Sequence, residues 1–213
     1  MFRLLVSNSR EIRRRSRTSC KSYGYQSLSI RITGGFLKGR RIGSPRPGKG
    51  IRPTTDRVKL AIFSVIGLEA VEGRKVLDLF ACTGALGIEA ISRGADHVEL
   101  VEKSRRNVQL IRDNIDLLGL SNQCTVHHSD VESYLKNCED SYDMVTMDPP
   151  FETSNWHDLL NKIGQTGFVY PGGIVVAEHK SGISLDESYK DITRFSLKTY
   201  GDSQVSFYEV KSG

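Results

Sequence analysis

The chain has 213 residues, four scattered cysteines with no C-x-x-C pair, and no apolar run near the ~20 residues of a membrane-spanning helix. This length holds one domain with a sizeable core, and the composition excludes a disordered chain, a membrane-spanning chain and the common zinc and dithiol spacings. The net charge of +5 is unevenly placed: residues 1–60 carry 16 Lys/Arg against 2 Asp/Glu, and the rest carry 14 against 23. A basic front end on an acidic body suits a polyanion such as nucleic acid; the plain alternative is a solvated basic tail.

In chain order, residues 1–28 read as a basic, disordered leader, rich in Arg and Ser. That composition is also the composition of an organellar transit peptide, and a misassigned start codon would give it too. Residues 29–213 read as a single domain. It opens with a hairpin and loop over 29–52: alternating Leu28, Ile30 and Ile32, then Gly34-Gly35, then a strand from Phe36 to Ile42. Thr55-Asp56 is placed to cap a helix whose apolar side runs from Val58 to Ile66. Strands are expected at Lys75–Phe80, His97–Val101, Cys124–His128, Tyr142–Met147 and Gly173–Glu178. Helices fall between them over about 85–93, 104–118, 131–137 and 155–165. Two further strands, 191–198 and 204–210, flank Tyr200-Gly201-Asp202. Such alternation predicts an α/β fold with a mainly parallel sheet covered on both faces. Ligands bind such sheets beyond the carboxyl ends of the strands, so the residues there carry the functional reading.

After the first sheet strand comes Asp78-Leu-Phe-Ala-Cys-Thr-Gly84-Ala-Leu-Gly87. The turn suits close backbone approach to a ligand, but Cys82 occupies the first glycine position of the dinucleotide fingerprint. Glu102, at the end of the next strand, either accepts both ribose hydroxyls of a nucleoside or is a solvated charge at a helix start. Asp130 follows the third strand, either beside a base edge or as a helix N-cap. Asp148-Pro149-Pro150-Phe151 follows the fourth. Two prolines remove two donors and leave acceptors, with an aromatic ring close by, a combination that suits a planar amine. His127-His128 read as strand-end solvated residues. Glu178-His179 either line the site or cap the fifth strand.

These strand-end motifs resemble those of Rossmann-like methyltransferases that use S-adenosylmethionine and act on amino groups. More narrowly, Arg31-Ile-Thr-Gly-Gly35, Lys38-Gly39-Arg40, Arg52-Pro-Thr-Thr-Asp-Arg-Val58, Ala90-Ile-Ser-Arg-Gly94, Val101-Glu-Lys103 and Glu178-His179 resemble the bacterial RsmD family, from about Ser29 to Val210. Cys82 departs from the family's usual Gly, and Phe151 from its usual Tyr. The resemblance implies a class I methyltransferase fold: a mostly parallel seven-stranded sheet, helices on both faces and an N-terminal β-hairpin extension. It also implies methylation of the exocyclic amine of one guanine in small-subunit ribosomal RNA. The implied partner is that RNA or the small ribosomal subunit, with no membrane and no metal. A cytoplasmic monomer is expected, or an organellar one if the leader is a transit peptide.

On this reading Asp148, Pro149 and Phe151 are catalytic. Thr54, Asp78, Ala81, Thr83, Gly84, Glu102, Lys103, Asp130 and Val131 hold the cofactor, and Lys38, Arg40, Arg41, Arg52 and Arg57 contact RNA phosphates. A DNA adenine or protein glutamine methyltransferase shares the proline motif, and a non-catalytic RNA-binding protein could use the same scaffold. A nicotinamide oxidoreductase would leave Asp148-Pro-Pro-Phe151 without a role.

Overall fold

The structure is a computed structural model and describes residues 29–44, 55–150, 152–165 and 167–211. The leader, Arg52, Thr54 and Phe151 lie outside the described residues.

The chain opens with a hairpin, β1 (Ser29–Arg31) and β2 (Arg41–Gly43), in which Ile30 pairs with Ile42. Helix α1 (Asp56–Ile66) follows, capped by the Thr55 hydroxyl on the Val58 amide. Strands and helices then alternate as the apolar runs predict: β3 (Lys75–Leu79), α2 (Ala85–Ser92), β4 (His97–Glu102), α3 (Arg105–Leu118), β5 (Cys124–His128), α4 (Val131–Asn137), β6 (Tyr142–Met147) and α5 (Trp156–Ile163). The chain then forms β7 (Val169–Lys180), β8 (Ser188–Tyr189), β9 (Ile192–Tyr200) and β10 (Ser203–Val210).

The main sheet has the order β5-β4-β3-β6-β7-β10-β9-β8. Strands β3 to β7 are parallel, and β10 runs antiparallel to both β7 and β9. The seven expected strands are present, and two-residue β8 adds an eighth at the edge. Central β3, β4 and β6 are almost continuously buried, as strands covered on both faces must be. The chain steps outward from β3 through β4 to β5, then crosses back to lay β6 on the other side of β3. Right-handed crossovers put α2 and α3 on one face and α4 and α5 on the other. The core divides accordingly, one cluster holding Ile88, Ile91 and Ile111, the other Trp156, Leu159 and Ile163. The reversal of strand order between β3 and β6 opens a crevice at their carboxyl ends.

The hairpin belongs to the first of these cores. Ile30, Ile32, Leu37 and Ile42 are all buried in it. Each such side chain contributes roughly 1.5–3 kcal/mol, enough together to hold a short hairpin down. Glu89, fully buried in α2, accepts from the Thr33 amide and hydroxyl, both at 2.8 Å. It also pairs with Arg93 at 3.0 Å and Lys59 at 3.8 Å. Lys59 is 1% exposed and donates to the Arg31 carbonyl as well, so it ties α1 to β1 and is not one of the surface cations.

Two segments differ from the expected strands. The strand foreseen from Phe36 is confined to Arg41–Gly43, because residues 34–39 turn against the end of α2. There Ser92 receives the Phe36 and Leu37 amides and donates to the Gly34 carbonyl. Gly35, at φ 73°, lies so close that a Cβ would stand 1.6 Å from the Ser92 carbonyl oxygen. Strand β7 starts earlier than Gly173: it pairs at Val169, bulges through exposed Tyr170-Pro171-Gly172, and resumes at Ile174. A proline interrupts the ladder there at a bulge, where its missing donor costs nothing.

Candidate cofactor cleft and strand-end acidic site

The carboxyl ends of β3, β4, β5 and β6 bring four predicted acidic residues to one rim. Asp78 lies inside β3, 2% exposed. Its Oδ2 accepts from the Gly87 amide at 2.9 Å and its Oδ1 from the Thr146 hydroxyl at 2.8 Å. It thereby pins the start of α2 to β6. Gly87 permits this close packing, since a Cβ there would stand 2.9 Å from Val98 and 3.2 Å from Asp78 Oδ2. Burial pushes the Asp78 carboxyl up to about 7, and the charges of Asp148 and Glu102 add to the rise.

The turn from Phe80 to Gly84 is strained. Phe80 and Cys82 both take positive φ, 59° and 52°, a region that costs a non-glycine residue about 1–2 kcal/mol. The sequence therefore departs from glycine at a position whose backbone favours it. The strain is held by three contacts: the Ala81 amide on the Val101 carbonyl at 3.0 Å, the Gly84 amide on Ala81 at 2.7 Å, and the Cys82 amide on Glu102 Oε2 at 2.9 Å. Glu102 Oε1 accepts from the Ser104 amide at 2.7 Å. Both oxygens of the predicted ribose ligand are thus oriented by backbone donors, each keeping a lone pair for a further partner. Burial pushes the Cys82 thiol up to about 12, helped by Glu102, Asp148 and Asp78, so this cysteine is no nucleophile at neutral pH.

A cleft of about 220 Å³ opens beside the turn. Phe80, Val101, Val131 and Leu159 form its apolar walls, and Glu102, Lys103, Asp130 and Glu132 its polar rim. The N-cap reading of Asp130 holds, since its Oδ1 caps α4 on the Ser133 amide at 2.9 Å, and the residue also lines the cleft. That amide, with Lys103 nearby, holds the Asp130 carboxyl below the usual range. Glu132 accepts from Asn155 at 2.6 Å, joining α4 to α5 across the mouth. Flat apolar walls beside paired carboxylates fit the base and ribose of a nucleoside. The convergence of Asp78, Glu102 and Asp148 on one turn favours a cationic group there. The residues present therefore fit S-adenosylmethionine. Phe80, Glu132 and Asn155 were not singled out from the sequence. The strand-end position of Phe80, two residues after Asp78, was the available signal.

Asp148 follows β6 directly, one residue past the Leu79–Met147 and Met147–Ala177 pairs. It is half-buried, Pro149 is buried and Pro150 is exposed. The Pro150 carbonyl accepts from the Thr153 amide at 2.9 Å, so it serves the turn and not a ligand. Glu178 and His179 lie within β7 and do not cap it. The His179 ring is buried and committed on both sides. Nδ1–H donates to the Lys180 carbonyl at 3.2 Å, which leaves Nε2 to accept from the Ser206 hydroxyl at 3.0 Å. Burial lowers its pKa, so the ring stays neutral and structural. His127, read as solvated, instead bonds Glu99 at 2.7 Å, in a cluster with Lys75 and Tyr134.

Arg41 and Arg57 are exposed, and Arg41 donates to the Ser29 carbonyl and hydroxyl. Strand β2 then runs to Gly43, which Asn114 links to Thr83 of the cofactor turn. Lys38 lies on the turn packed against Ser92, at the opposite end of α2 from Gly84, and Arg40 joins that turn to Arg41. An eight-residue helix separates those ends by about 12 Å.

The family model described as Conserved hypothetical protein 95 matches residues 30–209. Bacillus subtilis YlbH, provisionally named an rRNA methyltransferase, is 34% identical over 185 residues, 85% of this chain and 100% of that protein. Ribosomal RNA small subunit methyltransferase D of Escherichia coli K12 is 34% identical over 152 residues, 71% of this chain and 75% of that one. The solved Escherichia coli structure yhhF, provisionally named a methyltransferase, matches with TM-score 0.78 at 26% identity, over 87% of this chain and 100% of that one. The chain belongs to this family, the RsmD-like methyltransferases that use S-adenosylmethionine.

Proposed function

We propose that the protein methylates the exocyclic amine of a guanine in small-subunit ribosomal RNA. The observation that carries this reading is Asp148-Pro149 at the end of β6, beside the carboxylate-lined turn after β3. The relatives' names support the RNA class of the substrate. S-adenosylmethionine supplies a methyl group already activated on a sulfonium, so the chain's task is placement. Glu102 holds the ribose, Val131 and Phe80 flank the adenine, and Asp78 with the turn at Ala81, Thr83 and Gly84 faces the cationic end. Thr54 and Lys103 complete the cofactor contacts.

A guanine amine is a weak nucleophile because its lone pair is delocalised into the ring. Asp148 and the Pro149 carbonyl accept its two N–H groups, which frees the nitrogen to pyramidalise toward the methyl group. The nitrogen gains the methyl and loses one proton, which passes to Asp148 or to water. The base must leave its stack to reach Asp148, and Phe151 then stacks on it for ~1–3 kcal/mol. Lys38, Arg40, Arg41, Arg52 and Arg57 contact phosphates of the RNA.

The test is Asp148→Ala. Turnover on ribosomal RNA should fall ~10²–10⁴-fold, the range for a lost proton acceptor or polar contact in the transition state. Binding of S-adenosylhomocysteine should stay within a few-fold. Near-normal turnover would remove Asp148 from the chemistry and this reading with it.

A further inference from the structure

Residues 61–213 carry 14 Lys/Arg against 23 Asp/Glu, yet four of those 14 cations fall within ten residues that contain no acid: Lys103, Arg105, Arg106 and Arg112. The first three lie where β4 ends and α3 begins, and Arg112 lies two turns along that helix. Arg105, Arg106 and Arg112 are all exposed. A spacing of seven residues returns Arg112 to the face of Arg105, about 10 Å further along the axis. The buried side of α3 is apolar, built on Val108, Ile111 and Ile115, so packing does not call for these cations.

Helix stability does not call for them either. The first turn of α3 holds two arginines and no acid, and its last turn holds Asp116 and no base. Both ends oppose the helix dipole, which favours acids in the first turn and bases in the last. The acids of the helix are engaged elsewhere: Asp113 accepts from Gln109 and Asp116 from Ser121, each at 2.9 Å. Arg105 and Arg112 make no ion pair among the described residues. The helix end is not itself an anion site, since the Ser104 hydroxyl accepts from the Asn107 amide. The charge is therefore carried by side chains that face outward from the chain.

Their position suits a polyanion bound at the cleft. Lys103 lines the cleft, and Glu102 Oε1 accepts from the Ser104 amide at 2.7 Å, so α3 starts at the rim. In the strand order β4-β3-β6, the end of β4 stands about 10 Å from the end of β6, where Asp148 lies. Nucleotides that flank a base seated at Asp148 reach that far. The rim itself is acidic at Glu102, Asp130 and Glu132, so an RNA strand approaching it needs cations beside it.

We propose that Arg105, Arg106 and Arg112 form an RNA-phosphate surface on the α3 side of the cleft, additional to the cations of the N-terminal hairpin. This rests on the ribosomal RNA reading above. Such contacts position the strand and carry no sequence information.

The experiment is a salt titration of small-subunit ribosomal RNA binding by the full chain. Arg105→Gln with Arg112→Gln should flatten the log–log slope by about 1.4–1.8, two phosphate contacts, and Arg105→Gln alone by about half as much. S-adenosylhomocysteine affinity should be unchanged, since neither side chain lines the cleft. The unfolding midpoint should hold or rise, because a cation leaves the positive end of the helix. Lys136→Gln with Lys190→Gln removes the same charge at exposed positions on the amino edge of the sheet, and its slope should match wild type. An unchanged slope in the arginine variants, or equal flattening in the lysine pair, overturns this surface and leaves the role of Asp148 standing. Arginine variants that lose stability and cofactor affinity together overturn it as well, since the side chains then serve the fold. Wild-type protein that binds S-adenosylhomocysteine but no RNA overturns the proposed substrate, and this surface with it.

Discussion

Replacing Asp78 with Asn should make the protein more stable at alkaline pH and indifferent at acid pH. Asp78 is buried, and its carboxyl is pushed up to about 7 from an ordinary 3.8, first by burial. The folded state therefore holds the proton more tightly than the unfolded chain. The resulting stability is fully present below pH ~4 and is lost as pH rises toward ~7. About three pH units at 1.36 kcal/mol each sets a ceiling of ~4 kcal/mol for that loss. A carboxamide keeps both hydrogen bonds. Its oxygen accepts from Gly87, and its NH₂ donates to the Thr146 hydroxyl, which turns to the Leu77 carbonyl at 3.5 Å. Urea unfolding of cofactor-free protein at pH 5, 6, 7 and 8 measures the effect. The variant's advantage over wild type should grow from pH 5 to 7 and level off toward pH 8. An advantage that does not change with pH, or that shrinks as pH rises, would refute the assignment of a buried, proton-holding Asp78.

Cys82→Gly should leave turnover within a few-fold, because the contribution of this residue to the site is its amide on Glu102. Relief of the φ strain outweighs the added freedom of glycine by up to about 1 kcal/mol, readable as a small rise in unfolding midpoint. A tenfold loss of turnover would show that the thiol itself is needed. In salt titrations of RNA binding, Arg41→Ala should flatten the log–log slope by about 0.7–0.9, one phosphate contact, and Lys38→Ala should flatten it less. Equal flattening by both would place the RNA across the Ser92 end of the hairpin as well.

The strands and the acidic rim were legible because each is a local pattern. Val76, Leu77 and Leu79, or Met144, Val145 and Met147, are apolar runs too short for a helix, and the topology puts the next residues of the chain at the ligand edge. Glu102 and Asp130 were found by that rule alone. The illegible features depend on contacts far along the chain. Phe36 to Arg40 has the composition of a strand, but Ser92, more than fifty residues on, takes the amides that would have made one. Lys59 looks like a surface cation until Glu89 is placed beside it. Glu89 and Asn114 did carry a signal, each being a polar residue at a core position of an otherwise apolar helix stripe. That signal marks burial without naming the partner. The basic count could not divide Arg41 from Lys38, since only the packing of the hairpin along α2 separates them.

The central claim is that Asp148 and Pro149 present a guanine amine for methylation. Its most direct test is the chemical identity of the product. Unmodified small-subunit ribosomal RNA and assembled subunits are incubated with S-adenosylmethionine carrying a labelled methyl group, digested to nucleosides and resolved by mass spectrometry. The expected result is label in N2-methylguanosine, absent with Asp148→Ala. Label in any other nucleoside, in protein, or in N2-methylguanosine at an undiminished rate with Asp148→Ala would contradict it.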